Sequence, residues 1–282
     1  MSGWFDETLH QAYRQGLREG RVLYDSETAH QRLRLFENPV FGRVLTLDGV
    51  VQVTTGDEFI YHEMMAHTPI LAHGAARSVL IVGGGDGGMA REALKHPGIR
   101  RVVMVEIDAG VIEFSRKFLP GVSAGAFDDP RLEVVIADGA EYIARKGESF
   151  DVILVDSTDP IGPGEVLFTE TFYGHAKRRL APGGVLVTQN GVPFLQPDEL
   201  RNTMRAFRAL FADATCYIAS IPTYAGGPMA FGWGTDGQAR DAVEDVLEGR
   251  LAASGVSGLR YYTPEVHKAA FALPGYVAAL LK

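Results

Sequence analysis

The sequence predicts an α/β protein in which a doubly wound sheet follows a small N-terminal antiparallel β domain. Short segments rich in Val and Leu, separated by turn residues, fill the first part of the 282-residue chain. From Ser78 onward, continuous apolar runs alternate with polar or helical stretches, as in parallel strands that are buried on both faces. We therefore divide the chain into residues 1–67 and residues 68–282.

The N-terminal sheet is predicted from four short segments. QRLRLF alternates polar and apolar residues, as a half-buried strand does. The pairs Asn38-Pro39 and Asp48-Gly49 are typical of turns and separate the segments. The predicted strands cover residues 21–25, 31–36, 42–47 and 50–53.

A helix is expected next, and it leads into the second domain. Asp57 is a suitable N-cap for the stretch EFIYHEMMAHTPILAH. Pro69 lies inside this stretch, and an internal proline commonly ends or kinks a helix. Beyond it, five apolar runs predict the strands of the doubly wound sheet. They cover residues 78–82, 102–105, 132–136, 150–155 and 183–187.

Composition excludes several classes of protein. The net charge is −8 and no basic stripe is visible, which argues against a nucleic-acid partner. No segment is apolar for long enough to span a membrane, and the acidic, aromatic N-terminus does not resemble a signal peptide. The single cysteine, Cys216, cannot form an intrachain disulfide and is expected to be a small buried residue. A cytoplasmic location is the resulting expectation.

Acidic residues stand at or just beyond the ends of four consecutive predicted strands. Asp86 lies in the glycine loop after the first strand, and Glu106, Asp138 and Asp156 follow the next three. In open α/β sheets, ligands bind outside the carboxyl ends of the strands. Because clustered buried carboxylates are costly without a positive partner, the pattern indicates a cationic ligand.

The glycine loop by itself leaves several interpretations open. Gly83, Gly85 and Gly88 fit G-x-G-x-x-G, with Glu106 about twenty residues later as a ribose-binding acid. A nicotinamide dehydrogenase, or a tight turn without a ligand, would also fit. Asp86 favours a cation over a pyrophosphate, although it could instead cap the next helix. Decarboxylated S-adenosylmethionine, which keeps the ammonium and lacks the carboxylate, suits this acid better than S-adenosylmethionine does.

Other candidate residues also have two interpretations. Asp138-Gly139 suits adenine recognition and equally suits a helix cap. Tyr61 and Tyr224 could simply pack in a core. The pair His62-Glu63 followed by His67 resembles a zinc motif, but the histidines are five residues apart where the motif requires four. We therefore predict no metal.

Taken together, these motifs resemble the spermidine synthase family, particularly its bacterial members. The resemblance runs from about Trp4 to the C-terminus. This chain has His62 directly after Tyr61, whereas some other members of the family have a glutamine at that position. The motifs are GVVQVTTGDEFIYHEM, GGGDGG, MVEID, VIADG, DSTDPIGP, LVTQNG and IPTYAGG, in that order.

The resemblance implies a fold, a reaction and a set of site residues. The family joins an N-terminal β domain to a Rossmann-like, methyltransferase-type domain. It transfers an aminopropyl group from the co-substrate decarboxylated S-adenosylmethionine to putrescine, giving spermidine and methylthioadenosine, with no other cofactor. Its members commonly form homodimers or homotetramers through the N-terminal region. By resemblance, Asp156 is catalytic; Gln31, Asp86, Glu106, Asp138 and Gly139 bind the donor; Tyr61, His62, Asp159, Gln189 and Tyr224 line the acceptor channel; and Pro163 lies in a flexible loop over residues 158–169.

Three alternatives remain at this stage. A methyltransferase that modifies a polyamine with ordinary S-adenosylmethionine would share the fold, but Asp86 argues against it. A catalytically silent polyamine-binding protein would be expected to lack Asp156 or Tyr61, and both are present. The dehydrogenase is the third. The acceptor is putrescine by default, and cadaverine or a longer polyamine would require only a different channel length.

Overall fold

The computed structural model describes residues 3–158 and 162–282. Its N-terminal part contains a two-stranded hairpin and a four-stranded antiparallel sheet. The four predicted strands are confirmed, whereas the hairpin was not predicted because its charged residues interrupt any regular apolar pattern. The hairpin consists of β1 (Trp4–His10) and β2 (Tyr13–Arg18), and the sheet of β3 (Val22–Glu27), β4 (Arg32–Asn38), β5 (Gly42–Leu47) and β6 (Val50–Thr54).

The first helix, α1 (Glu58–His73), continues through Pro69. It ends at Gly74, whose positive φ of 76° lets its N–H bond to the carbonyl of Ile70. Every residue from 60 to 72 is buried, because the helix packs between α2 (Gly88–Leu94) and the seven-stranded sheet of the second domain. The boundary predicted at residues 67/68 therefore falls inside a helix that packs with the second domain.

The second domain is built on a seven-stranded sheet of order β12-β13-β11-β10-β7-β8-β9. The five predicted strands are confirmed, and they run parallel to one another. β13 is antiparallel to both of its neighbours, and neither β12 nor β13 was predicted. The strands are β7 (Ser78–Gly83), β8 (Arg101–Glu106), β9 (Leu132–Ile136), β10 (Phe150–Asp156), β11 (Leu180–Gln189), β12 (Asp213–Ala219) and β13 (Met229–Thr235).

Helices cover both faces of this sheet and create two apolar layers. One layer contains α1 and α2, and the other contains α6 (Glu170–Arg178) and α7 (Pro197–Leu210). Cys216 is fully buried in the second layer, as expected, and burial raises the pKa of its thiol to about 12. The further helices are α2 (Gly88–Leu94), α3 (Ala109–Phe118), α4 (Pro120–Ser123), α5 (Gly139–Ala144), α6 (Glu170–Arg178), α7 (Pro197–Leu210), α8 (Glu244–Ser254), α9 (Pro264–Ala270) and α10 (Gly275–Leu280).

The strand order determines where a ligand can bind. From β7 the chain adds β8 and β9 on one side, then returns to add β10 and β11 on the other. The reversal lies between β7 and β10, where open α/β sheets have their binding crevice. Within the described ranges, no helix has the length and apolar character needed to cross a membrane.

Candidate active site

A cavity of about 470 Å³ lies at the carboxyl edge of the large sheet. The N-terminal sheet closes its opposite side through residues such as Leu45, Gln52 and Val53. Asp159 lies outside the described residues, and so does the side chain of Pro163. Ten of the predicted site residues line this cavity: Gln31, Tyr61, His62, Asp86, Glu106, Asp138, Gly139, Asp156, Gln189 and Tyr224.

Asp156 is the last residue of β10 and is paired with a tyrosine from α1. The Tyr61 hydroxyl donates to Oδ1 of Asp156 over 2.6 Å. Burial, together with the nearby charge of Asp86, raises the pKa of Asp156, while His62 and the Tyr61 hydrogen bond oppose that rise. Burial and the Asp156 charge also raise the pKa of Tyr61 well above its usual value. The tyrosine therefore stays a hydrogen-bond donor.

The glycine loop after β7 lies directly against the end of β10. Gly83 has a φ of 88°, and a Cβ there would lie 2.0 Å from the backbone oxygen of Asp156. A Cβ on Gly85 would lie 2.8 Å from Oε2 of Glu106. Larger residues would therefore displace the acids at the ends of β10 and β8, the two strands that flank β7.

Asp86 supports the start of α2 and also lines the cavity. Its Oδ1 accepts a 2.7 Å hydrogen bond from the backbone N–H of Gly88, in the first turn of α2. Its Oδ2 lies 3.5 Å from Nε2 of His62 and lines the cavity. The carboxylate is thus fixed by the helix start and still faces the binding space.

Glu106 ends β8 and is only 8% exposed. It accepts a 3.0 Å hydrogen bond from the backbone N–H of Asp108, yet burial raises its pKa to about 7. Asp108 caps α3 through Gly110 and accepts from Gln31 over 3.3 Å. A hydroxyl of Thr28 also donates to Asp108 over 2.6 Å. Asp108 thereby ties the N-terminal sheet to the end of β8, a role that the sequence analysis missed.

Asp138 is a helix cap, one of the two roles considered for it. Its Oδ1 accepts hydrogen bonds from the backbone N–H groups of Ala140 and Glu141 at 2.7 and 3.0 Å. A Cβ on Gly139 would lie 2.5 Å from Val82, so the residue after the cap must be small. Both residues also line the cavity beside the end of β9.

The opposite end of the cavity is formed by aromatic and amide groups. The rings of Tyr61 and Tyr224 meet edge to face at 6.1 Å, and the Tyr224 hydroxyl donates to the carbonyl of Gln52. Gln189 accepts from the backbone N–H of Gly191 over 2.8 Å. These contacts fix the side chains that narrow this end.

Comparison with known proteins identifies the family. The family model described as "Spermine/spermidine synthase domain" matches residues 58–242. A second model, described as "Spermidine synthase tetramerisation domain", matches residues 3–55. A polyamine aminopropyltransferase of Ruegeria sp. is 65% identical over 98% of both chains. The Pseudomonas syringae protein of the same name is 55% identical, over 97% of this chain and 96% of its own.

The chain belongs to the spermidine synthase family. It is thus an aminopropyltransferase, and the resemblance drawn from its motifs is confirmed. A spermidine synthase in complex with the transition-state analogue AdoDATO superposes with a TM-score of 0.91 at 38% identity, covering 99% of this chain and 94% of that one. The enzyme from Thermotoga maritima gives a TM-score of 0.90 at 37% identity with the same coverage. The expected fold is thereby confirmed.

In this spermidine synthase family member, the residues of the rejected zinc motif have separate structural partners. Glu63 accepts from the backbone N–H groups of residues 260, 261 and 262. His67 lies between Glu92 and His96, at 2.8 Å from each. His62 instead contacts Glu58 and Asp86. The three side chains therefore face different surroundings.

The structure adds residues to the site that had no recognised signal in the sequence. Glu58 lines the cavity and accepts a bidentate pair from Arg91 at 2.8 and 3.0 Å. Asp57, placed only as a helix cap, accepts no cap bond and instead binds Thr223 and Thr54. The acidic spacing D-E-x-x-x-H is the one signal that could have linked Glu58 to His62, because residues four apart share a helix face.

Proposed function

We propose that this enzyme transfers the aminopropyl group of decarboxylated S-adenosylmethionine to putrescine, giving spermidine and methylthioadenosine. The observation that supports this most directly is the cavity in which the Tyr61–Asp156 pair lies beside Asp86. A solved relative at 38% identity holds a transition-state analogue, AdoDATO.

The donor's reacting carbon is attached to a sulfonium, so the leaving group already carries a positive charge. The enzyme must mainly align the reactants and supply a neutral amine. Amines like those of putrescine have a pKa of about 10, so both are protonated near neutral pH. One proton must leave before nitrogen can attack.

Asp156 is the group best placed to handle that proton. Its buried position raises its pKa, which makes the carboxylate a less weak base than an exposed aspartate. With the Tyr61 hydroxyl fixed at 2.6 Å, one carboxylate oxygen is held while the other can orient the attacking nitrogen. The carboxylate also stabilises the ammonium that forms as the new C–N bond closes.

The charge of Asp86 selects the donor. Its Oδ2 faces the cavity, where it can pair with the ammonium of the decarboxylated donor. Ordinary S-adenosylmethionine would bring a second carboxylate toward this acid and toward Asp156. Because like charges repel strongly in a buried site, the decarboxylated donor is favoured.

The nucleoside is assigned to the side of the cavity formed by β8 and β9. Glu106 would accept from the ribose hydroxyls, with Gln31 beside it on Asp108. Asp138 and Gly139 would receive the adenine at the end of β9. Since burial raises the pKa of Glu106 to about 7, two hydroxyl donors would favour its ionised form.

The acceptor is assigned to the end that Tyr61, Tyr224 and Gln189 narrow. His62 and Asp159 are proposed to contribute to the same channel, the latter by binding the distal amine. The fixed Tyr224–Gln52 hydrogen bond would limit the channel length and so favour putrescine over longer amines.

The remaining expectations are also proposals. The N-terminal region matches a domain described as a tetramerisation domain, which supports a homo-oligomer, either a dimer or a tetramer. We propose a cytoplasmic enzyme that uses no metal and no cofactor beyond its co-substrate. Nucleic acids and membranes are not proposed as partners.

The test is an incubation of the purified protein with putrescine and each sulfonium donor separately. Mass spectrometry should detect methylthioadenosine and spermidine with the decarboxylated donor only. S-Adenosylhomocysteine formed from the ordinary donor would instead support the methyltransferase. A competition among putrescine, cadaverine and spermidine for limiting donor would then rank the acceptors.

A further inference from the structure

The ring of His62 lies between two carboxylates. Nδ1 is 2.6 Å from Oε2 of Glu58, and Nε2 is 3.5 Å from Oδ2 of Asp86. The side chain is only 2% exposed, so water does not compete for either nitrogen. A neutral imidazole has one donor and one acceptor nitrogen, whereas an imidazolium donates from both. A position between two carboxylates therefore favours the charged ring.

Glu58 is held in this position from the neighbouring helix. Arg91 on α2 donates to both of its carboxylate oxygens, at 3.0 and 2.8 Å. Arg91 is itself fixed by the carboxylate of Glu92 at 2.6 Å and by the carbonyl of Val122 at 2.6 Å. Such a bidentate pair fixes orientation as well as charge. Glu58 therefore presents an ionised oxygen to His62.

Contacts with neighbouring residues hold the His62 ring in one orientation. A Cβ on Gly88 would lie 2.3 Å from Cε1 of His62, so the imidazole rests directly on the first turn of α2. Tyr61 contacts the other side of the ring, with 5.4 Å between the ring centroids. The ring cannot turn away from Asp86 without displacing one of these neighbours.

We propose that Glu58, fixed by Arg91, is a positioning residue that keeps His62 as an imidazolium, and that this cation keeps Asp156 ionised at neutral pH. The inference rests on the proposed transfer reaction, in which Asp156 must be an anion to orient the amine. It assigns roles to two residues, Glu58 and Arg91, that need not touch either substrate.

The charges around Asp156 determine the direction of the effect. Burial and Asp86 raise the pKa of Asp156, and the His62 cation lowers it. Although burial favours a neutral ring, the carboxylates of Asp86 and Glu58 raise the pKa of His62 to about 10. Several titratable groups surround Asp156 and His62. They are Tyr61 and Glu58 from α1, Asp86 from the loop after β7, Arg91 from α2, and Glu106 from β8.

The ionisation state of His62 can be measured without any substrate. In protein labelled with ¹⁵N-histidine, the resonances lost in His62→Gln identify His62. We expect both ring nitrogens to remain protonated from pH 6 to pH 9 in the wild type, and to titrate within that range in Glu58→Gln. A neutral His62 in the wild type at pH 7 would overturn the proposal, whatever reaction the enzyme catalyses.

The effect on Asp156 is measured with kcat/KM for putrescine at saturating donor. Loss of the cation in His62→Gln should raise the pKa of Asp156 and move the acid limb of the profile upward by about one pH unit. Glu58→Gln should move it in the same direction by less. His62→Lys, which keeps a cation, should restore the limb toward its wild-type position.

A control histidine is available on α9. His267 is also buried and contacts the Tyr262 hydroxyl at 2.8 Å, but it does not line the cavity and does not contact Glu58 or Arg91. His267→Gln should leave the limb in place. A uniform loss of rate in His62→Gln, with an unmoved limb, would show that the ring only packs. Absence of methylthioadenosine from the wild type would instead refute the proposed reaction and leave the ¹⁵N test intact.

Discussion

At the residue scale, the site depends on a few acids whose ionisation differs because their surroundings differ. Glu106 is buried and Asp156 is half-buried, each with few compensating donors, and desolvation raises the pKa of both. Glu58 is half-buried as well, but His62 and Arg91 more than offset its desolvation and lower its pKa to about 2. Carboxylates only one strand or one helix apart are therefore tuned for different tasks.

The role of Asp156 predicts the behaviour of Asp156→Asn. The amide is nearly the same size but cannot accept a proton or stabilise an ammonium, so turnover should fall by about 10²–10⁴-fold. Donor affinity, measured by calorimetry, should change by less than about threefold, because the nucleoside is assigned to residues at the ends of β8 and β9. Asp151→Asn, at the opposite end of β10, should keep normal turnover. Turnover near the wild-type level in Asp156→Asn would contradict the assignment.

At the element scale, the glycine loop and α1 position the acids. Gly83 and Gly125 have nearly the same φ, 88° and 85°, but their surroundings differ. A Cβ at residue 83 meets the backbone of Asp156 at 2.0 Å, whereas nothing lies within 4 Å of one at residue 125. Substitutions at these two glycines therefore distinguish the cost of backbone strain from the cost of steric crowding.

Alanine substitutions at these glycines should have unequal effects. Gly125→Ala adds only the left-handed strain and should lower the free energy of unfolding by about 1 kcal/mol. Gly83→Ala must also move the end of β10, so it should cost more than about 3 kcal/mol and abolish turnover. Urea denaturation and initial rates measure both. Equal stability of the two variants would show that the loop yields to the extra atom.

Asp57 connects three elements at the acceptor end. Its carboxylate accepts from the Thr54 hydroxyl at 2.6 Å and from the backbone N–H of Thr223 at 2.7 Å. The Thr223 hydroxyl also donates to it, at 2.5 Å. The side chain is 5% exposed. Asp57 therefore fixes the loop that carries Tyr224 against β6 and α1.

Removing this anchor should weaken acceptor binding selectively. In Asp57→Ala the Tyr224 loop loses its buried acceptor, so KM for putrescine should rise about tenfold and unfolding should become about 1–3 kcal/mol easier. KM for the donor should stay within about twofold, because the anchor lies away from the nucleoside residues. Thr223→Val, which removes the hydroxyl and keeps the N–H, should show a smaller change of the same kind. A parallel rise in both KM values would contradict a local role.

At the scale of the whole molecule, the buried acids link stability to pH. A carboxyl group whose pKa is raised on folding binds more protons in the native state, so stability falls as pH rises from its unfolded to its folded pKa. For Glu106 this window extends from 4.5 to about 7. Glu58, with its lowered pKa, makes a constant contribution there and loses it only in more acidic solution.

The variant Glu106→Gln isolates the contribution of Glu106 ionisation to stability. Without substrates, its free energy of unfolding should exceed that of the wild type by about 2 kcal/mol at pH 8, and this difference should shrink toward zero below pH 5. Other titrating groups, such as His62, are common to both proteins and largely cancel in the difference. Chemical denaturation at several pH values measures it. A pH-independent difference would mean that burial does not control the ionisation of Glu106.

Much of this architecture follows from local sequence. The five parallel strands are continuous apolar runs, and the acids after four of them could be aligned because parallel strands end at one edge. The β1–β2 hairpin and the β12–β13 pair were missed because polar or small residues such as Asp6, Gly232 and Gly234 interrupt their patterns. Pro69 failed to end α1, since packing on both sides of the helix outweighed the lost hydrogen bond.

The sequence by itself determined the family, the βα order and the identity of the strand-end acids, because these depend on motifs and on periodicity. Only the tertiary structure decided which charged and polar groups lie in contact with one another. Glu58, Arg91 and His62 are brought together by α1 packing on α2, and Asp57 meets Thr223 across 166 residues. Only the packing around Glu106 and Asp156, which no local pattern encodes, removes these two acids from water and raises their pKa values.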